Sequence, residues 1–419
     1  MDLATLFQGI GSMFSQEPKI VIARIVLMFL GAGMVYLGKK EVLEPLIMIP
    51  MGIGMSMVNA GVLVMSPDMA EYTGREFSTL FLESTITTDT AAGISNLTNI
   101  LQIDFLQPVF TFTFSNGLIA CLVFMGIGVI SDVGNLMKFP FTSMIIAMFA
   151  ELGTILTFPL AVNLGNLDIG QAASIAIVGG ADGPMVLFAS LMLAPDVFVP
   201  ITVIAYLYLS LCYGGYPFMC RALIPKELRG AVVKVANEVE ITSNQKLTFD
   251  VLAGTLLCLL FPVAAPLFMS FFLGNAIKES GVFKYMELLE STFLYTATFF
   301  LGLLLGVLCE AGTLLNPTIL PLLIFGITAL FISGCGGILG GYIVYFMNGK
   351  HYNPIIGIAG VSCVPSTAKV AQKVAKKANK RCIILNYAMG ASICGVITSA
   401  ILTGLYITIV QQVIADGGL

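Results

Sequence analysis

The run from Ser174 to Ser190, SIAIVGGADGPMVLFAS, sets the terms for everything around it. It is apolar enough for a bilayer interior, yet Gly179, Gly180, Asp182, Gly183 and Pro184 stand in its middle. Glycine gives up helical order cheaply, and proline removes an amide donor and clashes with the preceding turn. Broken backbone persists in hydrocarbon only where protein buries it or where it lines a cavity. A carboxylate at that depth is costly and by default functional. The expected element is a pair of half-helices meeting at Asp182, an arrangement suited to a cation. The alternative is a kinked helix whose Asp182 pairs with a neighbouring hydroxyl.

The rest of the chain supports a membrane setting. Of 419 residues, 57% are hydrophobic and 11% charged, against about 25% charged in soluble domains. Mean hydropathy is +0.95. The expected fold is an all-α polytopic membrane protein, 1–419 in one membrane domain, with the lipid bilayer as partner and no nucleic acid. Met1–Ser15 lacks a basic n-region and a small-residue cleavage site, so no removable leader is expected. With no Trp, interface anchoring falls to the 13 Tyr and to Lys and Arg. Cys121, Cys258, Cys309, Cys335 and Cys394 lie in apolar runs and no C-x-x-C occurs, so the nine thiols read as small apolar side chains. His351 is the single histidine, which argues against a histidine metal site.

A span needs about 20 apolar residues. Candidates are Ile20–Gly38, Val42–Met65, Val109–Ile130, Phe139–Val162, Val197–Cys220, Leu247–Gly274, Ser291–Leu308, Thr318–Phe346 (one tilted helix or two pieces) and Ile383–Val410. Ser66–Leu106 is a long acidic connection with Arg75 as its one basic residue. Lys369, Lys373, Lys376, Lys377, Lys380 and Arg381 fall together without an acid, and Arg221–Lys246 has five basic residues against three acidic. The positive-inside rule places both on the cytoplasmic face, with the acidic loop outside. That count works only if Ser174–Ser190 dips in and returns, as a re-entrant hairpin.

A second interrupted segment, Asn353–Lys369 (NPIIGIAGVSCVPSTAK), stands about half a chain later. Two such segments are the mark of a transporter-like inverted repeat, with sites where broken helices meet. The halves would be about 20–222 and 247–412, joined by a cytoplasmic connector, 223–246. In the second segment Asn353, Ser362, Ser366 and Thr367 offer neutral oxygens, and Gly357 and Gly360 let carbonyls approach. One carboxylate with an amide, hydroxyls and carbonyls makes a hard-oxygen site for Na⁺, since Mg²⁺ or Ca²⁺ usually want more carboxylates. Asn353 before Pro354 also reads as a helix cap, which does not exclude ligation. Tyr208 is a candidate ligand or proton carrier, with interface anchoring as its alternative; anchoring is the reading for Tyr206, Tyr213 and Tyr216. The lysines from Lys369 share one helical face, suited to anionic lipid or an acidic partner. Lys369 ends the interrupted segment and is placed to meet an anion.

These residues carry a family resemblance. GGADGP after AASIAIV, the YLY that follows, NPIIGIAGVS with VP after it, and NGLIACLVFMGIGVISD resemble the β subunit of sodium-translocating biotin-dependent decarboxylases. These are the oxaloacetate, methylmalonyl-CoA, glutaconyl-CoA and malonate enzymes, and the likeness runs from about Ile20 to the last span. The resemblance implies a translocase subunit in a prokaryotic plasma or inner membrane. It would decarboxylate carboxybiotin, consume a proton and export Na⁺. The carboxybiotin would come in trans from a biotin carrier subunit, with no covalent biotin on this chain. A carboxyltransferase α subunit and a small membrane-anchor subunit would complete an oligomeric complex. The resemblance also implies that Asp182, Tyr208, Asn353, Gly357 and Ser362 serve Na⁺ binding and coupling, with Asp182, Tyr208, Ser362 and Lys369 catalytic and Lys369 and Asn353 toward carboxybiotin.

Two departures stand out. Lys369 replaces the family's usual arginine, keeping charge but losing the bidentate fork. Where the family has Pro-Asn, this chain reads Met389, Gly390, Ala391, Ser392, Ile393, Cys394, Gly395, so the Ser392 hydroxyl stands in for an amide as a Na⁺ ligand. Composition and periodicity alone leave open a secondary Na⁺:carboxylate or solute transporter built on the same broken-helix site.

Overall fold

Apolar runs become helices here because a bilayer interior offers the backbone no hydrogen-bond partner but itself. The computed structural model describes residues 17–61, 106–114, 116–165, 167–233, 240–311, 315 and 319–415. Among them every regular element is helical. Among the described residues five helices are long and apolar enough to cross a membrane: Pro18–Lys39, Pro140–Gly165, Phe283–Leu308, Ile319–Met347 and Leu385–Ala415. The bent pair Pro195–Leu209 and Cys212–Leu223 makes a sixth if counted as one span. The protein is an all-α polytopic membrane protein. The acidic stretch Ser66–Leu106, apart from Leu106, lies outside the described residues, as does Met1–Ser15.

The chain divides into two compact units, residues 1–119 with 298–319, and 120–297 with 320–419. In the first, α1 (Pro18–Lys39) and α2 (Pro45–Gly61) pack along their glycines. A Cβ on Gly31 would stand 2.5 Å from the Gly52 carbonyl oxygen, and one on Gly52 equally close to that of Gly31. Asn59 ties this unit together. Its amide donates to the Met55 and Cys309 carbonyls and accepts from Ala311 N–H, while Arg24 donates to its carbonyl.

The second unit holds the remaining elements in chain order. They are α3 (Leu118–Ile130, its first two residues belonging to the other unit), α4 (Val133–Lys138), α5 (Pro140–Ala150), α6 (Leu152–Gly165), α7 (Ile169–Ile177), α8 (Gly183–Leu193), α9 (Phe198–Leu223), α10 (Ser243–Leu260) and α11 (Ala265–Glu279). After these come α12 (Leu294–Leu308, shared with the first unit), α13 (Ile319–Met347), α14 (Ser366–Ala378) and α15 (Leu385–Ala415). Helix α15 is the central post, touching α4, α5, α7, α8, α11 and α14.

Two readings from sequence change, and one left open is settled. Leu247–Gly274 is not one span. Phe261 and Pro262 break it, and α10 and α11 fold back on each other, with Lys246 at the start of α10 bonded to Glu279 at the end of α11. A largely apolar run of 28 residues suffices either for one tilted crossing or for a hairpin, and the break at Phe261–Pro262 with the ion pair at the base gives the hairpin. Val109–Ile130 is likewise interrupted before Leu118. Thr318–Phe346, left as one helix or two, is the single helix α13.

Candidate functional site

The first interrupted segment folds back on itself, as the charge count required. Helix α7 starts from Asp168, whose carboxylate accepts the Gln171 N–H at 2.7 Å, and runs into a 3₁₀ turn, Val178–Gly180. Ala181 then takes a left-handed conformation, φ +55°, which costs a residue with a Cβ of order 1 kcal/mol and is typical of functional turns. Asp182 is extended and caps α8, accepting the Met185 N–H at 3.4 Å. The ends of the two half-helices meet again: a Cβ on Gly170 would stand 2.1 Å from the Leu193 carbonyl oxygen, and Gln171 donates to Asp196 at 2.9 Å. The element is a re-entrant hairpin with Gly179–Asp182 at its tip.

The second segment is a hairpin of different build. Asn353 caps a 3₁₀ helix, Pro354–Gly360, by accepting the Ile355 N–H at 3.1 Å. An irregular, tightly turned stretch, Val361–Pro365, leads the chain into α14. Both ends return to the connector: Asn353 donates to the Arg229 and Ala231 carbonyls at 3.0 and 2.9 Å, and Asn379 donates to Gly230 at 2.9 Å. Helix α9 links the two hairpin bases. Its 26 residues follow a path of about 39 Å, bent by 53° between Leu209 and Cys212, from beside Asp196 to the turn before Arg229. The hairpins therefore enter from opposite ends of the unit.

Their tips meet. The Ser362 N–H donates to the Gly180 carbonyl at 3.0 Å, and the Ser362 hydroxyl donates to the same oxygen. The Ser362 hydroxyl also lies 3.1 Å from that of Ser399 on α15. Ser399 in turn bonds Glu151, whose other carboxyl oxygen accepts the Thr154 hydroxyl at 2.6 Å. Glu151 sits between α5 and α6, in the middle of the Pro140–Gly165 span, and is 2% exposed; Asp182 is 4% exposed and Ser362 1%. Glu151 and Asp182 interact electrostatically. The ring of Tyr206 lies against Gly183, where a Cβ would come within 2.4 Å of it, and the buried Tyr206 hydroxyl has no hydrogen-bond partner among the described residues. The result is a buried compartment of carboxyl, hydroxyl and carbonyl oxygens.

The structure brings Asp182 and Ser362 to this junction. Ser392 is buried on the same stripe of α15 as Gly395 and Ser399, at helical spacings of three and seven, and its hydroxyl finds no partner among the described residues. Gly395 packs on this segment, for its Cβ would stand 2.3 Å from the Gly360 carbonyl oxygen. Asn353 is not brought to the junction: it braces the base of the second hairpin, with both amide groups engaged there. Gly357 is where α13 crosses, since a Cβ would stand 2.1 Å from the Gly337 carbonyl oxygen. Tyr208 points the other way from Tyr206 and donates to the Leu323 carbonyl of α13 at 2.9 Å. Lys369 is exposed on α14. Sequence reasoning missed Glu151, Thr154, Ser399 and Tyr206. A signal existed for Glu151, a lone carboxylate inside a span; none existed for its pairing with Ser399.

Hard oxygen atoms with few carboxylates suit a monovalent cation. No group of three or more His, Cys, Asp or Glu that could hold a metal ion occurs among the described residues.

Comparison with known proteins gives a consistent result. A model of the Na⁺-transporting oxaloacetate decarboxylase beta subunit matches residues 23–410. The chain is 51% identical to the carboxybiotin decarboxylase of Malonomonas rubra, over 97% of this chain and 98% of that one. It is 31% identical to a probable oxaloacetate decarboxylase beta chain of Vibrio cholerae, over 92% and 95%. It is 31% identical to the methylmalonyl-CoA decarboxylase subunit beta of Propionigenium modestum, over 92% and 94%. With its helices broken at the places those motifs mark, the chain belongs to the family of the beta subunit of Na⁺-transporting oxaloacetate decarboxylases.

Proposed function

We propose that this subunit decarboxylates carboxybiotin presented by a separate biotin carrier subunit and uses the free energy to export Na⁺ across a prokaryotic cell membrane. The carrying observation is the tip-to-tip meeting of two re-entrant hairpins at Gly180 and Ser362, with Asp182 buried beside it. Broken helices meeting at mid-depth free polar backbone and direct helix ends at one point, the usual design for ion translocation. The relatives' names favour decarboxylation over solute transport as the driving reaction.

In this reading Na⁺ is cargo, held by the Asp182 carboxylate with the Ser362 hydroxyl, and Ser392 contributes from α15. Asn353 fixes the second hairpin rather than touching the ion, and Gly357 lets α13 approach it. Tyr206, beside Asp182, takes the place that sequence suggested for Tyr208. The basic face of α14, Lys369 foremost, receives the carboxylate of carboxybiotin on the cytoplasmic side. Loss of CO₂ breaks the N–C bond of carboxybiotin, the electron pair stays on the ureido nitrogen, and that nitrogen takes one proton; this chemistry belongs to the cofactor, while the protein supplies site and coupling. A carboxyltransferase subunit and a membrane-anchor subunit complete the complex.

The test uses the assembled complex in inverted vesicles. Wild-type protein should decarboxylate only with Na⁺ present and take up ²²Na⁺ as it does so. Asp182→Asn should abolish both. Full turnover without Na⁺, or undiminished uptake by Asp182→Asn, overturns the reading.

A further inference from the structure

Three buried oxygen atoms between α10 and α11 have nothing to bond. Asp250 on α10 is 1% exposed and Asn275 on α11 is 0%. Both carboxyl oxygens of Asp250 and the side-chain carbonyl oxygen of Asn275 lack a hydrogen-bond partner among the described residues. The two helices run antiparallel, in a register set by the Lys246–Glu279 contact at 3.3 Å. Residues four apart share a helical face, so one turn inward from that pair Asp250 comes opposite Asn275. A turn further in, Gly254 packs on α11, where a Cβ would stand 3.1 Å from that of Phe272. The Asn275 amide is oriented from the other side. Its nitrogen donates to the Gly128 and Ser131 carbonyls at the end of α3, at 3.1 and 3.0 Å. Turned over, it would set oxygen against two oxygens, so its carbonyl end is held away from α3.

The charges around these oxygens do not balance. Asp132 interacts with Lys246 and Lys278, Lys246 with Asp132 and Glu279, and Asp250 with Glu279 and Lys246. The Lys246 ammonium is engaged by Asp132 at 2.7 Å and Glu279 at 3.3 Å, and that of Lys278 donates to the Ser131 carbonyl at 2.7 Å. Three carboxylates therefore face two ammoniums, and the one without a donor of its own is Asp250. A buried carboxylate with neither donor nor counterion is too costly to stand alone. A proton on Asp250, given to Asn275, would satisfy two of the three oxygens and leave the other carboxyl oxygen bare. A cation between them satisfies all three. One positive charge cancels the surplus, and two would reverse it.

We propose that Asp250 and Asn275 bind a monovalent hard cation, Na⁺, at the base of the α10–α11 hairpin. An all-oxygen donor set with few carboxylates suits such an ion. The site shares no residue with the junction of the two hairpin tips, and neither the decarboxylation reading nor the cargo ion at Asp182 requires it. Bound there, the ion holds α10 to α11 and, through the Asn275 amide, to the end of α3.

The experiment uses the whole complex in detergent, with Asp182→Asn as background to remove the cargo site. Equilibrium dialysis with ²²Na⁺, choline chloride holding the ionic strength constant, should still show one saturable site per copy of this chain. NaCl should raise the unfolding temperature of that protein where choline chloride does not, as a ligand of the folded state does. These two measurements need no change at the site itself. Adding Asp250→Asn should abolish both effects, and adding Asn275→Ala should weaken binding by about tenfold or more. Without Na⁺, Asp250→Asn should unfold at the background temperature or above it, because the unbalanced charge is gone; lost binding is thereby told apart from lost fold. No saturable binding in the background, or binding that survives Asp250→Asn, overturns the proposal. A background protein whose unfolding temperature follows pH but not Na⁺ assigns these oxygens to a proton and overturns it as well.

Discussion

Two tyrosines two residues apart show what a sequence conceals at the scale of one residue. Positions 206 and 208 of a helix point about 200° apart, and both lie in the same apolar run. Family resemblance and span position favoured Tyr208, but which face meets the break depends on the neighbours of α9. Tyr206 meets Gly183 of α8, and Tyr208 meets α13. Asp182 was legible because it interrupts an apolar run; Glu151 was equally visible inside its span, but Ser399, the partner that gives it meaning, is 248 residues away. The orphan hydroxyl of Tyr206 yields a sharp prediction. Removing an unpaired buried hydroxyl relieves a desolvation penalty of about 1–3 kcal/mol. Tyr206→Phe should therefore be as stable as wild type or more so in thermal unfolding in detergent. Its Na⁺ dependence should weaken nonetheless, because the hydroxyl faces the Asp182 compartment. A destabilised variant with normal Na⁺ response would assign Tyr206 to packing instead.

Elements here are held by close backbone approach and by their bases. The existence of the first re-entrant hairpin followed from charge counting, because a full crossing would have put a basic connector on the wrong side. The α10–α11 hairpin did not, since its apolar run is long enough to cross, and the fold-back shows only in contacts between the two helices such as Lys246–Glu279 and Phe249–Phe272. The first of these is part of a larger one, for Lys246 also bridges to Asp132 at 2.7 Å. Glu279 is 5% exposed and Asp132 41%, so the two partners differ in worth. Lys246→Met should cost about 3 kcal/mol, the low end for stranding a buried charge, whereas Asp132→Asn should cost under about 1 kcal/mol; thermal unfolding of both variants checks the order. Burial works to raise the Asp132 carboxyl, but the Lys246 hydrogen bond and charge, the Gly134 N–H and Lys278 bring it below its ordinary value. Its contribution is thus present above the unfolded carboxylate pKa and is lost as pH falls through the lower folded value. Acid scans should show a smaller stability loss for Asp132→Asn than for wild type. The second hairpin has a comparable weak point. Gly357→Ala would press a Cβ onto the Gly337 backbone, which cannot swing aside, and should lower stability by about 1–3 kcal/mol or more.

At the scale of the second unit, one helix decides the topology. Helix α9 starts at the base of one hairpin and ends at the connector that holds the base of the other, so a crossing by α9 puts the bases on opposite faces of the membrane. The two basic stretches that the positive-inside rule placed together, around Arg229 and from Lys369 to Arg381, are in fact neighbours, joined through Asn353, Asn379 and Cys382. That agreement was open to sequence because lysine and arginine counts report sidedness directly. The tip-to-tip contact was not, because Gly180 and Ser362 are 182 residues apart and neither carries a charge to announce the other. Alternating access needs such a junction to open to one face at a time, which two hairpins would allow by small movements of either one if α9 crosses between their bases. Single cysteines at exposed positions of a cysteine-free chain test this arrangement. Asp196→Cys at the first base and Lys380→Cys at the second should react with an impermeant maleimide from opposite sides of sealed vesicles, Lys380→Cys from the cytoplasmic side. Labelling of both from the same side would mean that α9 does not cross, and would remove the geometric basis for carrying an ion from one hairpin to the other.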